Sequence, residues 1–453
     1  VAPADTDSRM DSGLEHANSK DFSEAARIFY GVYIALPESD PRRDVAGFHL
    51  AEALAASGFT QAGIEHYLDV VAGRRSPEFM AKSLDNLKRL FEQHLVDEDR
   101  FVLGTIYGNS YAEASPDAND FVEYLQALTD IRRGFDEWGR KRMVALSQGS
   151  RAYAFYARYA LAVDRLNRHD DDHAAHDFRD IVVATGDVPA EIRNEARLAL
   201  ARMLYERKQY GEAWRLYSQI ESTLPFQDLI MLEKAWDRTA GGDQQRALGL
   251  LVGLGAPVFH NVFAPERDLI RAMALRKLCQ YRPAHTAVHD FRAAFGSVLS
   301  RIHDRAPLLS DPEIRRWAIA GTKTLERKEH MREALAGEKR RLSSVRDKAL
   351  RDHLDAIYTA NLSNVDGQIG REIGDAVDHV ADELLRIDEQ MSLIDYEIGA
   401  GLFTSGDKAT TQRGMRPEEV PLGSQLVYFK FDGEYWTDEV REYTVLAEDR
   451  CLR

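Results

Sequence analysis

Three histidines, His169, His173 and His176, flank three aspartates in the stretch NRHDDDHAAHDF (167–178). Imidazole nitrogens and carboxylates are ordinary zinc ligands, and a zinc ion with an open coordination position would make this chain a metal-dependent hydrolase. That chemistry requires the ligands to converge on one point. Whether they do is decided by the elements that carry them.

Those elements repeat. Residues 21–37, DFSEAARIFYGVYIALP, and 210–225, YGEAWRLYSQIESTLP, superimpose with Ala25 on Ala213, which lays Phe29 on Tyr217 and Pro37 on Pro225. A small residue permits close helix crossing, an aromatic fills the gap toward the next unit, and proline stops the helix. The same small anchor recurs at Gly63, Gly139, Ala174, Ala247 and Ala284, mostly at intervals of 34–39 residues. One interval of 76 spans two units, with a degenerate copy near 78–115. Gly13, Ala51, Ala127, Ala162, Ala201 and Ala235 each stand twelve residues before an anchor, where a first helix would also need a small side chain.

This A-x3-[FY]-x7-P pattern resembles the second helix of the tetratricopeptide repeat, a helix-turn-helix unit of about 34 residues. The resemblance is to the superfamily, because the tryptophan usual early in the first helix is absent and the period is irregular. It implies about eight helix pairs stacked as an α-solenoid.

The register answers the histidines. His169 falls level with Lys208 in the turn between helices, His173 with Glu212 and Glu24, and His176 with Arg215 and Arg27. The first histidine therefore leaves the helix face of the other two, and the aspartates read as turn and helix-start residues. No residue is assigned a catalytic, cofactor-binding or metal-binding role. No phosphate-binding loop, dinucleotide fingerprint, HExxH or GxSxG motif occurs. Adjacent Glu418 and Glu419 are unremarkable in a chain with 74 acidic residues.

A formal charge of −15 over 453 residues argues against nucleic acid as a partner, because phosphate contacts need Lys and Arg. No apolar run is long enough to span a bilayer. Two cysteines, Cys279 and Cys451, show neither CxxC nor zinc-knuckle spacing, and their number does not fix the compartment. The opening VAPADTDSRM, without an initiator Met, suits either removal of a signal peptide or recombinant expression, and the expectation leans toward periplasm or cell envelope over cytoplasm.

Beyond residue 303 the character changes. Asp311-Pro312 predicts a helix start, and 317–357 predicts a long charged helix with apolar Leu335, Leu342, Val345, Ala349 and Ile357. After a break at NLSNVDG (361–367), Ile373, Val377, Val380, Leu384, Ile387, Met391, Ile394 and Ile398 alternate at spacings of four and three, a coiled-coil seam. Residues 425–448 alternate apolar and polar around Asp432-Gly433, a hairpin signal in which Tyr435 and Trp436 cover the ribbon or meet a partner. The segment FDGEYWTDEVREY is also similar to the tails of exported repeat proteins of gliding and predatory bacteria.

The expected fold is mainly α, an irregular tetratricopeptide-like solenoid followed by a long antiparallel coiled-coil hairpin and a small C-terminal β-hairpin or ribbon. Its parts are an N-terminal tail (1–9), helical repeats (10–303), the coiled-coil hairpin (304–400), a loop or linker (401–424) and the ribbon tail (425–453). The expected function is a noncatalytic protein-interaction scaffold within a bacterial envelope assembly, associated with motility or an appendage. The repeats would take protein helices or extended peptides in a concave surface, with a second site on the hairpin or ribbon. A soluble peptide-binding adaptor or chaperone is the alternative, and the metal-dependent hydrolase is remote.

Overall fold

The computed structural model describes residues 3–220, 227–259, 262–405, 431–433, 440 and 443–451. Among these the chain is mainly helical, with nineteen α-helices and no β-strand. It divides into two compact units, the first comprising residues 1–177, 184–189 and 326–371, the second 178–183, 190–325 and 372–453.

Helix pairs build the first unit. They are α1 (Pro3–Asn18) with α2 (Phe22–Ala35), α3 (Pro41–Ala56) with α4 (Thr60–Gly73), α5 (Pro77–Glu92) with α6 (Glu98–Phe101), and α7 (Pro116–Arg132) with α8 (Asp136–Ser147). Next comes α9 (Ala152–Asn167), followed by α10 (Asp171–Val183), whose last residues are counted with the second unit. The second unit continues with α11 (Ala190–Glu206) and α12 (Tyr210–Ser218), α13 (Gln227–Ala240) and α14 (Gln244–Gly253), α15 (Glu266–Lys277) and α16 (Tyr281–His303), and the short α17 (Pro312–Ala320). Helices α18 (Lys323–Arg340) and α19 (Lys348–Ser405) complete the chain's helical part.

The small anchors do what their spacing predicts. A Cβ on Gly63 would stand 2.8 Å from the carbonyl oxygen of Ala51, and one on Gly139 would stand 2.6 Å from that of Ala127. Each anchor therefore meets the first-helix position twelve residues earlier at backbone contact. Ala25, Ala174, Ala213, Ala247 and Ala284 are all fully buried.

A second periodic feature lies in the turn of every pair. Lys20, Gly58, His94, Gly134, His169, Lys208, Gly242 and Cys279 have positive φ. Apart from His94, in the degenerate pair, each precedes its anchor by five residues. A left-handed residue closes the first helix and reverses the chain into the second. The degenerate unit keeps this turn but shortens its second helix, α6, which passes into a π-helical turn (Val102–Ile106). Its packing is taken over by Phe101, Val102, Ile106 and Tyr111, buried with Leu84, Leu87 and Phe121.

Several expectations need correction. The first helix begins at Pro3, within the stretch expected to be a tail. The helix expected over 317–357 is interrupted at Gly321 and again at 341–347, where a 3₁₀ turn ends with Val345 extended and Asp347 accepts a hydrogen bond from the Leu350 N–H. NLSNVDG is itself helical, inside the 58-residue α19. Because the turn at 341–347 resets the helical phase, Leu350, Leu354 and Tyr358 are buried, whereas Ala349 is exposed. The seam from Ile373 to Ile398 is buried throughout, but its flanking ion pairs run to the repeats: Arg386 to Glu266, Glu397 to Arg276 and Asp395 to Arg292. Residues 443–450 of the expected ribbon are not strand; the remainder lies largely outside the described residues, together with Glu418, Glu419, Tyr435 and Trp436.

Candidate functional site

The histidine cluster does not converge. His169 is the left-handed turn residue of its pair, with φ of 61°. His173 and His176 are exposed on α10, and the His173 Nδ1 lies 2.6 Å from Asp170 Oδ1. That bond holds the Asp170 carboxyl below the usual carboxylate range. Among the described residues no group of three or more His, Cys, Asp or Glu is arranged to hold a metal ion.

What the helix pairs do hold is the chain's own C-terminal third, in two different ways. In the first unit, α18 and the first part of α19 lie on the second helices of the early pairs. Glu338 enters at the start of α4, where Phe59 offers no capping side chain. Its Oε2 accepts from the Gln61 N–H at 3.0 Å and from the Tyr358 hydroxyl at 2.8 Å. A carboxylate from another helix thus serves an orphan donor at a helix N-terminus. Burial pushes the Glu338 carboxyl up, and the same burial, with Glu338 alongside, pushes the Tyr358 phenol up.

About one to three turns further on, uncharged amides take over. Asn361 Nδ2 donates to Glu65 Oε1 at 2.8 Å, and Arg100 pairs with both residues. Gln368 Nε2 donates to Asp97 Oδ2 at 2.8 Å, joined by Asn364 at 3.4 Å. Burial raises the Glu65 carboxyl, against the pull of Arg100. Ile64, Leu68, Met331, Leu335 and Val365 line the same small cavity.

His353 of α19 meets His66 of α4 with their Nε2 atoms 3.3 Å apart. Tyr30 packs on His353 with tilted rings, centroids 4.8 Å apart, and Tyr33 meets His66 edge-on. Burial, then the neighbouring His353, lowers the His66 pKa to about 3; burial also lowers that of His353. The pair therefore rests neutral, one ring donating to the other.

In the second unit the bound segment is the tail, neither helix nor strand over 443–450. Gln245 of α14 accepts from the Val445 N–H through its backbone carbonyl at 3.0 Å and donates from Nε2 to the Ala447 carbonyl at 2.8 Å. The buried Gln280 donates from Nε2 to the Glu448 carbonyl at 2.6 Å, and the Arg450 N–H reaches the Leu278 carbonyl at 3.0 Å. Val440 is buried among Met231, Leu232, Leu250, Leu254 and Ile270. Cys451 closes the arrangement with a disulfide to Cys279, the left-handed turn residue of the last pair.

None of these contacts was assigned from sequence. The signals were faint: Asn361, Asn364 and Gln368 are uncharged polar residues sharing one face of a charged helix, and the chain has two cysteines and no more. The chain matches no protein-family model, and no curated protein matches it in sequence.

Proposed function

We propose that this protein is a noncatalytic protein-interaction scaffold, an irregular tetratricopeptide-like α-solenoid that serves in a larger bacterial envelope assembly, associated with motility or an appendage. The observation that carries this reading is the double occupancy just described. Helix pairs of this chain receive a mainly helical segment (326–371) through buried polar side chains and a non-helical segment (443–450) through hydrogen bonds to its backbone. Helix-in-groove and extended-peptide binding are the two modes expected of helical-repeat surfaces toward other proteins.

The Cys279–Cys451 disulfide supports an oxidising compartment such as the periplasm, because cytosolic thiols are kept reduced. No described helix is long and apolar enough to cross a membrane. The coiled-coil arm of this reading is a brace where it lies in the first unit, since Leu335, Leu354 and Tyr358 are buried there. Backbone recognition at Gln245 and Gln280 also favours a second reading, a soluble adaptor or chaperone that captures one peptide.

Crosslinking mass spectrometry on the full chain in its native cell separates the two. The scaffold reading expects at least two different proteins, in fixed stoichiometry, crosslinked to repeat residues of both units. One small client crosslinked near Gln245 would replace it with the adaptor reading, and no stoichiometric protein at all would end both.

A further inference from the structure

Helix α14 is pared to backbone where the tail crosses it. A Cβ on Gly249 would stand 2.0 Å from the Tyr443 carbonyl oxygen, and one on Gly253 would stand 2.5 Å from Val440 Cγ2. Further back, Phe431 approaches Gly255, and Gly433 lies against Pro257. The described tail residues meet this stretch in antiparallel order, Gly433 at Pro257, Val440 at Gly253, Tyr443 at Gly249 and Val445 at Gln245, and Glu448, Arg450 and Cys451 meet Gln280, Leu278 and Cys279. Glycines four apart on a helix face let another backbone approach this closely, and here that backbone is a non-helical chain.

The hydrogen bonds from Gln245, Leu278 and Gln280 go to tail N–H and carbonyl groups, Val440 and Ala447 are buried, and Tyr443 packs against the apolar cluster around Val440. The seat is a site for a non-helical peptide with a β-branched apolar residue, an aromatic three positions on and an alanine at the seventh. Every copy of this chain carries that segment. Exchange of an identical segment between copies keeps every contact, so only the local concentration of the tethered tail favours the chain's own seat. The disulfide converts that preference into a lock.

We propose that the α14 groove is an exchangeable peptide site, and that once the Cys279–Cys451 bond is opened it takes residues 440–451 of a second copy of this chain. Opening is thiol–disulfide exchange: two thiols of a reductant are oxidised to a disulfide while Cys279 and Cys451 each gain a proton and share two electrons. Closure in the exchanged form gives those protons and electrons to a small-molecule disulfide such as oxidised glutathione, and it links Cys451 of one copy to Cys279 of the other.

The test uses two full-length variants. Cys279→Ser keeps a reactive tail, Cys451→Ser keeps a reactive seat, and neither can close its own disulfide. Mixed in a glutathione redox buffer, with one chain isotopically labelled, they are expected to give about tenfold more 279–451-linked dimer than either variant gives of any disulfide dimer alone. Gly249→Leu in the seat chain should lower that yield about tenfold, because its side chain occupies the path of the tail. Should Gly249→Leu unfold, as circular dichroism would reveal, Gln245→Ala/Gln280→Ala in the seat chain replaces it, with an expected loss of about fivefold. A mixed yield no greater than the single-variant background, or one indifferent to the seat substitutions, overturns the proposal.

Discussion

The helical segment of the first unit and the C-terminal tail of the second are held by different means. In the first, side chains make the grip: Glu338, Asn361, Gln368 and His353 each meet a specific partner on α4 or α6 and are buried or half-buried there. In the second, the grip is on main chain, at Gln245, Leu278 and Gln280, and a covalent bond secures the end. A buried polar network penalises every imperfect partner, because each unpaired group costs its full desolvation. Backbone hydrogen bonds discriminate little among sequences, so such a segment is held tightly only if something else restrains it. The first device suits a permanent part of the fold, the second a replaceable occupant.

The largest expected effect breaks the first grip. Tyr358→Ala removes a fully buried ring and leaves the Glu338 carboxylate without its hydroxyl donor, so it should destabilise the first unit by about 3–5 kcal/mol. Denaturant unfolding followed by hydrogen exchange should place the loss in residues 1–177 and 326–371. A loss under about 1 kcal/mol would mean that the segment is not integral to that unit.

Opening the second grip should cost less and elsewhere. Cys451→Ser removes a link between positions 172 apart in sequence, worth about 2–4 kcal/mol in the usual range for disulfides. The expected readout is faster exchange over 443–451 with unchanged protection over 326–371. Equal loss in both segments would erase the contrast between them.

Acid should separate the units as well. His66 has a folded pKa of about 3 against 6.5 for the free side chain, and that of His353 is lowered too. The unfolded chain therefore binds more protons below pH 6.5, and stability falls as pH drops from there toward the folded value. Between pH 6.5 and 5 the first unit should lose about 2 kcal/mol, with Arg43 adding to the repulsion once a proton binds. Glu65 and Glu338, whose carboxyls burial holds above the usual range, act in the opposite sense, adding stability as pH falls through their raised pKa values and offsetting part of this loss. His66→Gln/His353→Gln should flatten the profile. Gln245, Leu278 and Gln280, which bind the tail, do not titrate, so exchange over 443–451 should show no matching pH step beyond the intrinsic chemistry of exchange.

Much of the repeat architecture was legible, because a small anchor at a helix crossing is a steric demand that side-chain type reveals directly, as Gly63 against Ala51 shows. The left-handed turn was legible from residue type at Gly58 and Gly134 but hidden at Lys20, His169 and Cys279, since any residue can be forced into that conformation when the two helices it joins are well packed. At His169 it was the repeat register, through Lys208, that pointed to the turn. The break in the C-terminal helices was misplaced because NLSNVDG carries poor helix formers, whereas tertiary packing of Val365 and Ile369 overrides that weak local preference. The cysteine pair was invisible at a separation of 172 because nothing in sequence says where a non-helical tail will lie.

The smallest expected effect is the sharpest test of the contrast. Gln245→Ala removes one side-chain hydrogen bond to the Ala447 carbonyl but leaves the backbone bond from the Val445 N–H intact. The cost should be about 1 kcal/mol, because the freed carbonyl can find water beside the half-exposed tail. With the disulfide closed, that loss should barely register in global unfolding, since the tether restores the tail to its seat after each local opening. With the disulfide reduced, the same substitution should raise the exchange of the Val445 and Arg450 amides about fivefold over the reduced parent. If Gln245→Ala behaves identically in the oxidised and reduced chains, the disulfide is not what holds the tail, and the two grips are of one kind.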